Sequence, residues 1–131
     1  LAAAAERKSG ASYFGTSRFV EYIPGDLPVI VTSPHGGALK PASLPDRTEG
    51  VTEMDANTQE LARAICDAFA LVSGQRPYLI ASHLHRRKLD PNREIKEAAA
   101  GNAERHGTPA GSCARRDDYT GWLRRARRRP C

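Results

Sequence analysis

What this chain of 131 residues has little of narrows its class before any motif is considered. No stretch approaches the roughly 20 consecutive apolar residues of a membrane-spanning helix. The longest apolar pieces are strand-sized, such as Leu27 to Val31. Aromatic residues make up 6% of the chain and form no stacking series, and no base-reading motif is present, so specific nucleic-acid recognition has nothing to work with. Cysteine is scarce: Cys66, Cys113 and Cys131 are an odd number without CxxC spacing, which excludes a paired disulfide framework and a zinc knuckle. Cys66 falls in a helical pattern and is expected as a small buried hydrophobe. With 40% hydrophobic and 27% charged residues the composition is that of a globular domain, not of a collagen-like, mucin-like or wholly disordered chain.

Acidic charge is in short supply only at one end. The chain carries 20 Lys+Arg against 15 Asp+Glu, a net charge of +5. Residues 1–103 hold 12 of each sign, whereas residues 104–131 hold eight arginines against Glu104, Asp117 and Asp118. The tail therefore supplies the whole excess. An Arg-rich tail can neutralise phosphates without reading sequence, and this is the weaker of the partner readings.

Residues 1–18, punctuated by Gly10 and Gly15, are expected as a loose arm, and Ala-rich Leu1 to Ala5 also resembles the remnant of a signal peptide. A cytoplasmic location is expected, with export as the alternative. Phe19, Val20, Tyr22 and Ile23 form a β-prone run closed by the turn residues Pro24-Gly25-Asp26. Leu27 to Ser33 is nearly unbroken apolar and β-branched, the pattern of a strand buried on both faces of a parallel sheet. Residues 38–50 lack periodicity and are expected as a long functional loop. From Thr52 the pattern turns helical, with Leu61, Ile65, Phe69 and Val72 on one face and Ser73-Gly74 as the stop. Pro77 to Ser82 reads as a second strand, completing a right-handed parallel βαβ unit and an α/β architecture. Glu94 to Ala103 favours a further helix.

Three segments carry candidate chemistry. Ser33-Pro34-His35-Gly36-Gly37 falls at the carboxyl end of the first strand, where open α/β sheets bind ligands. His35 there offers a ring nitrogen to a metal or a proton, and Gly36 and Gly37 allow a substrate or another backbone to come close; a turn histidine closing the sheet edge is the plainer alternative. Glu53-Met54-Asp55 falls at the first turn of the helix, where a carboxylate either caps the helix or returns to the sheet edge as a metal ligand, Asp55 being preferred. The segment His83 to Arg93 follows the second strand. Its Asp-x-Asn-Arg run suits a clamp for a substrate carboxylate, with Arg86 and Arg93 as guanidinium donors, Asn92 as an oriented amide and Asp90 as a buttress. A solvated basic loop is the alternative. His83 and His85 share a strand face but are expected at the surface or lining a pocket, not chelating.

In this order and spacing, VTSPHGG (31–37), MDANTQELA (54–62) and HRRKLDPNRE (85–94) resemble the N-formylglutamate amidohydrolase family. That family is similar to the zinc carboxypeptidase and aspartoacylase group, so the resemblance implies a mixed, largely parallel sheet flanked by helices. It also implies metal-assisted hydrolysis, with a divalent metal, zinc by preference, acting on the amide of an N-acyl (formyl) acidic amino acid. His35 would be a metal ligand, Asp55 the carboxylate ligand with Glu53 as its rival, and Arg86, Asn92 and Arg93 the substrate clamp.

The resemblance covers residues 19–103. The family's later ligand histidine and its catalytic carboxylate have no counterpart here, so two protein ligands fall short of the usual three, and whether the chain is an enzyme stays open at this level. Charge, periodicity and resemblance all break at residue 104, as expected of a truncated or frameshifted member. An acidic-ligand-binding or inactive fragment is the alternative function. A sheet cut short after its first βαβ part is expected to self-associate through an exposed edge, without a membrane partner.

Overall fold

The computed structural model describes residues 7–93 and Ala98. Among these residues a four-stranded mixed sheet carries a helix, an α/β arrangement in the order β1(Tyr13–Phe14), β2(Val20–Ile23), β3(Ile30–Ser33), α1(Thr58–Ser73), β4(Tyr78–Ser82). The spatial order is β1-β2-β4-β3. β2 and β4 run antiparallel, from Val20 opposite Ser82 to Ile23 opposite Leu79. β3 and β4 run parallel, Ile30 opposite Tyr78 through Ser33 opposite Ala81, so β3, α1 and β4 form the expected parallel βαβ unit. Among the described residues no helix is long and apolar enough to cross a membrane.

Side-chain alternation along the strands divides the core into two layers. Ile23 and Leu79 lie beneath α1 with Ala62 and Cys66, and Val31 packs against them. Val20, Tyr22, Tyr78 and Ile80 occupy the opposite face, joined by Tyr13. Cys66 is buried and free, as its place in the helical pattern suggests. Gly74 closes α1 in the left-handed conformation, φ 73°, its N–H bonded to the Ala70 carbonyl at 3.0 Å.

Four expectations need correction. The strand buried on both faces is β4, all five of whose residues are buried. β3 lies at the end of the sheet order with Ile30 and Thr32 exposed. An unbroken β-branched run reports apolarity, which a central strand and an edge strand of the same unit can share. The helix starts at Thr58 and not at Thr52, because Asn57 takes a left-handed conformation, φ 61°, and breaks the chain there. The apolar stripe of α1 does not face the sheet: Leu61 is 60% exposed, and Ile65, Phe69 and Val72 are exposed too. Small Ala62 and Cys66 make the contact instead and let the helix axis approach closely. Finally, the opening arm contributes β1, whose Tyr13 sits opposite Tyr22. Residues 1–6, the expected helix from Glu94 apart from Ala98, and the tail with Cys113 and Cys131 lie outside the described residues.

Candidate active site at the carboxyl end of the parallel strands

β3 ends at Ser33, and the next turn places His35 beneath the start of α1 with only 6% of its surface exposed. Two glycines make this possible. A Cβ on Gly36 would lie 2.5 Å from Thr58 Oγ1, and one on Gly37 would lie 2.3 Å from the His83 carbonyl carbon. The close approach is thus to backbone and helix, not to a ligand. Past the glycines, Leu39 donates its N–H to the His83 carbonyl at 2.9 Å and accepts one from His85 at 2.9 Å, extending the parallel pairing beyond β4.

Asp55 reaches His35 from the loop before α1. Its N–H bonds to the His35 carbonyl at 3.1 Å, and its own carbonyl accepts the Thr58 hydroxyl at 3.1 Å. The left-handed Asn57 is what separates this carboxylate from the helix, so it is neither a cap nor part of the first turn. Asp55 Oδ2 lies 3.2 Å from His35 Nδ1. Glu53, the rival for this role, is exposed and accepts the Thr52 N–H at 3.2 Å.

The other ring nitrogen, His35 Nε2, meets Asp90 Oδ1 at 2.7 Å. Asp90 has no exposed surface. It also accepts Arg86 Nε at 3.1 Å and the Asn92 N–H at 3.1 Å, with Arg93 Nε at 3.7 Å and Arg47 Nη1 at 3.8 Å. Burial pushes the Asp90 carboxyl up, but the hydrogen bonds from His35, the Asn92 N–H and Arg86 together outweigh it and hold the group below the usual carboxylate range. Arg86 spans the site, its Nη1 lying 3.3 Å from Asp55 Oδ1. The expected buttress is therefore the hub: Asp90 holds His35 and the clamp arginines in one network. Asn92 contributes its backbone N–H, while its side chain and that of Arg93 stand at the surface.

A charged Asp90 keeps a proton on His35 Nε2 and turns Nδ1 toward Asp55, the arrangement by which a carboxylate orients a ligating histidine. Nδ1 and Oδ2 face each other at 3.2 Å. Only a proton or a cation between them makes that contact favourable. These two atoms suit a divalent metal. Among the described residues, however, no group of three or more His, Cys, Asp or Glu side chains is placed to hold one.

The remaining basic and imidazole groups are engaged elsewhere. Lys88 Nζ donates to the Leu44 carbonyl at 2.6 Å and pairs with Asp46 at 2.7 Å, tying down the 38–50 loop. Arg87 is exposed. His83 Nε2 lies 2.9 Å from Glu21 Oε2, and His85 Nδ1 accepts the Arg87 N–H at 3.1 Å, so the two imidazoles do not chelate together. Burial, then the charges of Lys40 and Arg87, push the His85 ring below its usual value.

Two groups escape sequence reasoning. Arg47 is buried and donates to the carbonyls of Val51 and Arg86 at 3.1 Å each and to Glu49 at 3.0 Å, clamping the loop over the site. No pattern distinguishes it in the sequence. Glu21 is buried in β2 and accepts Ser12 at 2.7 Å, Arg63 at 2.5 Å and His83. Burial pushes its carboxyl up, yet the bonds from Arg63, Ser12 and His83 prevail and lower it. A lone Glu inside the apolar run Phe19 to Ile23 was the available signal.

Comparison with family models, curated proteins and solved structures finds no match to this chain.

Proposed function

We propose that the chain carries the first half of the site of a metal-dependent amidohydrolase acting on N-acyl acidic amino acids, on a zinc-exopeptidase-like α/β fold. The carrying observation is convergence: three segments separated by about 20 and 35 residues meet at His35, which touches Asp55 through Nδ1 and Asp90 through Nε2 while Arg86 binds both carboxylates. A solvated basic loop or a simple turn histidine would not need this closure.

Under this reading His35 Nδ1 and Asp55 hold a divalent cation, zinc by the character of the donors, with a third ligand from outside the described residues. When bound, the metal supplies Lewis-acid polarisation of the scissile amide carbonyl. The chain's own residues do the rest. Asp90 fixes the His35 tautomer and ring plane, and Arg86 with the exposed Arg93 attracts and orients the substrate carboxylate, using the planar fork that suits bidentate binding. Arg47 holds the covering loop in place.

Purified full-length chain dialysed against zinc should retain one equivalent by mass spectrometry of the metal, release formate from N-formyl-L-glutamate, and lose the metal in His35→Ala and Asp55→Ala. Metal retention at wild-type level in both variants would sink the assignment. A noncatalytic acidic-ligand-binding module is the second reading, favoured by the two-donor set; it predicts N-formyl-L-glutamate binding that needs Arg86 and Arg93 but no formate release.

A further inference from the structure

An apolar cleft opens directly beside the His35–Asp55 pair, between edge strand β3 and helix α1. Its volume is about 210 Å³; Val31, Leu61, Ala62 and Ile65 supply its apolar lining, the hydroxyl residues Thr32, Ser33 and Thr58 also border it, and His35 and Asp55 belong to the same lining. No other charged side chain lines it. Arg63 of α1 is turned away to Glu21. Asp55 belongs to two neighbourhoods, with this cleft on one side and Arg86 on the other.

We infer that the cleft is an acyl-chain pocket, and that the ligand is an N-acyl amino acid whose acyl group is a straight aliphatic chain of about four to six carbons. The inference rests on the amidohydrolase reading for the placement of the amide and extends it by naming the acyl group. The polarity of the surroundings sets the ligand's order. A carboxylate belongs at the arginines and an amide at His35 and Asp55, and only an uncharged apolar group suits the walls beyond, where a charge would be desolvated without a partner. The volume holds roughly seven water-sized units at about 30 Å³ each, enough for a short chain and far more than a formyl hydrogen fills. The open cleft leaves Leu61 and Ile65 exposed, so covering them adds apolar burial at no cost in polar contacts.

Calorimetric titration of the full chain with N-formyl-, N-acetyl-, N-butanoyl- and N-hexanoyl-L-glutamate tests this. Affinity should rise about fourfold for each added methylene and level off once the cleft is full. Ile65→Asn and Leu61→Gln should flatten the series, whereas Leu71→Gln, on the same helix but away from the cleft, should leave the slope intact. Leu61 is 60% exposed, so its variant carries the test if Ile65→Asn fails to fold. A flat series, no binding of any member, or an unchanged slope in both cleft variants would overturn the inference. Formate or acyl release assayed on the same samples separates the two ideas: a slope without turnover removes the amidohydrolase and keeps the pocket, and turnover without a slope does the reverse.

Discussion

Replacing Asp90 by Asn exchanges one oxygen for an NH2 group and should cost more stability than any other isosteric change at the site. The carboxylate has no exposed surface and serves His35, Arg86 and the Asn92 N–H at 2.7, 3.1 and 3.1 Å. An amide oxygen in the Oδ1 position still accepts from His35 or from Asn92. The amide nitrogen then falls at Oδ2, donor against donor with Arg86 Nε. Arg47 and Arg93, at 3.8 and 3.7 Å, lose their counter-charge as well. Breaking a buried ionic network by removing one partner costs about 3–5 kcal/mol. At a size between domains that lose roughly 4–8 °C and those that lose roughly 2–4 °C per kcal/mol, Tm should fall by about 10 °C or more.

Asp55→Asn is the control, since its side chain is 45% exposed and its pairs with His35 and Arg86 are screened, contributing about 0–1 kcal/mol to stability. Thermal unfolding followed by circular dichroism at pH 7 compares the two. If Asp90→Asn melts within a few degrees of the parent, or if Asp55→Asn costs as much, the hub is misassigned. Acid supplies a second readout. Asp90 and Glu21 both have folded-state values below the usual carboxylate range, so their stabilisation is complete above that range and lost as pH falls through the depressed values. The variant should therefore lose stability less steeply than the parent as pH falls below the usual carboxylate range.

Two further outcomes follow from the geometry around the site. Gly37→Ala puts a methyl 2.3 Å from the backbone carbonyl carbon of His83, which no rotamer change relieves; a loss of about 1–3 kcal/mol or more is expected from urea denaturation, and a neutral substitution would contradict the close packing of turn and strand. The outer edge of β3 carries exposed Val29 and Ile30 and no charged residue, so the parent should associate with rising concentration in sedimentation equilibrium and Ile30→Lys should shift it toward monomer. A parent chain that stays monomeric throughout would remove the edge from consideration.

How much of this was visible beforehand depends on the distance over which each feature is decided. The βαβ unit was legible because its signals are local: apolar runs end at Pro34 and Ser82, and Ser73-Gly74 stops the helix where the left-handed cap lies. The position of β3 in the sheet was not, since edge and centre differ in what lies beside the strand and not in the strand's own residues. The helix face was misjudged for a related reason. Leu61, Ile65 and Phe69 have the right spacing and size for a core, but Ala62 and Cys66 make the contact with Ile23 and Leu79, and the larger side chains stay exposed.

The site shows the same division between what neighbours decide and what closure decides. His35, Asp55, Arg86 and Asp90 could each be picked out because a histidine after a strand, a carboxylate before a helix and an Asp-x-Asn-Arg run are short patterns. Their roles could not be ranked, because ranking depends on which oxygen meets which nitrogen. Asp90 illustrates this: the sequence marks it as a buttress of the clamp, whereas the turn from Arg86 to Arg93 folds it inward with two clamp arginines and the Asn92 N–H around it. Once there, it meets His35 Nε2 at 2.7 Å and leaves Nδ1 facing Asp55. Arg47 enters only at this last step, from a loop with no periodicity: its buried guanidinium lies 3.8 Å from Asp90 and is held there by the carbonyls of Glu49, Val51 and Arg86.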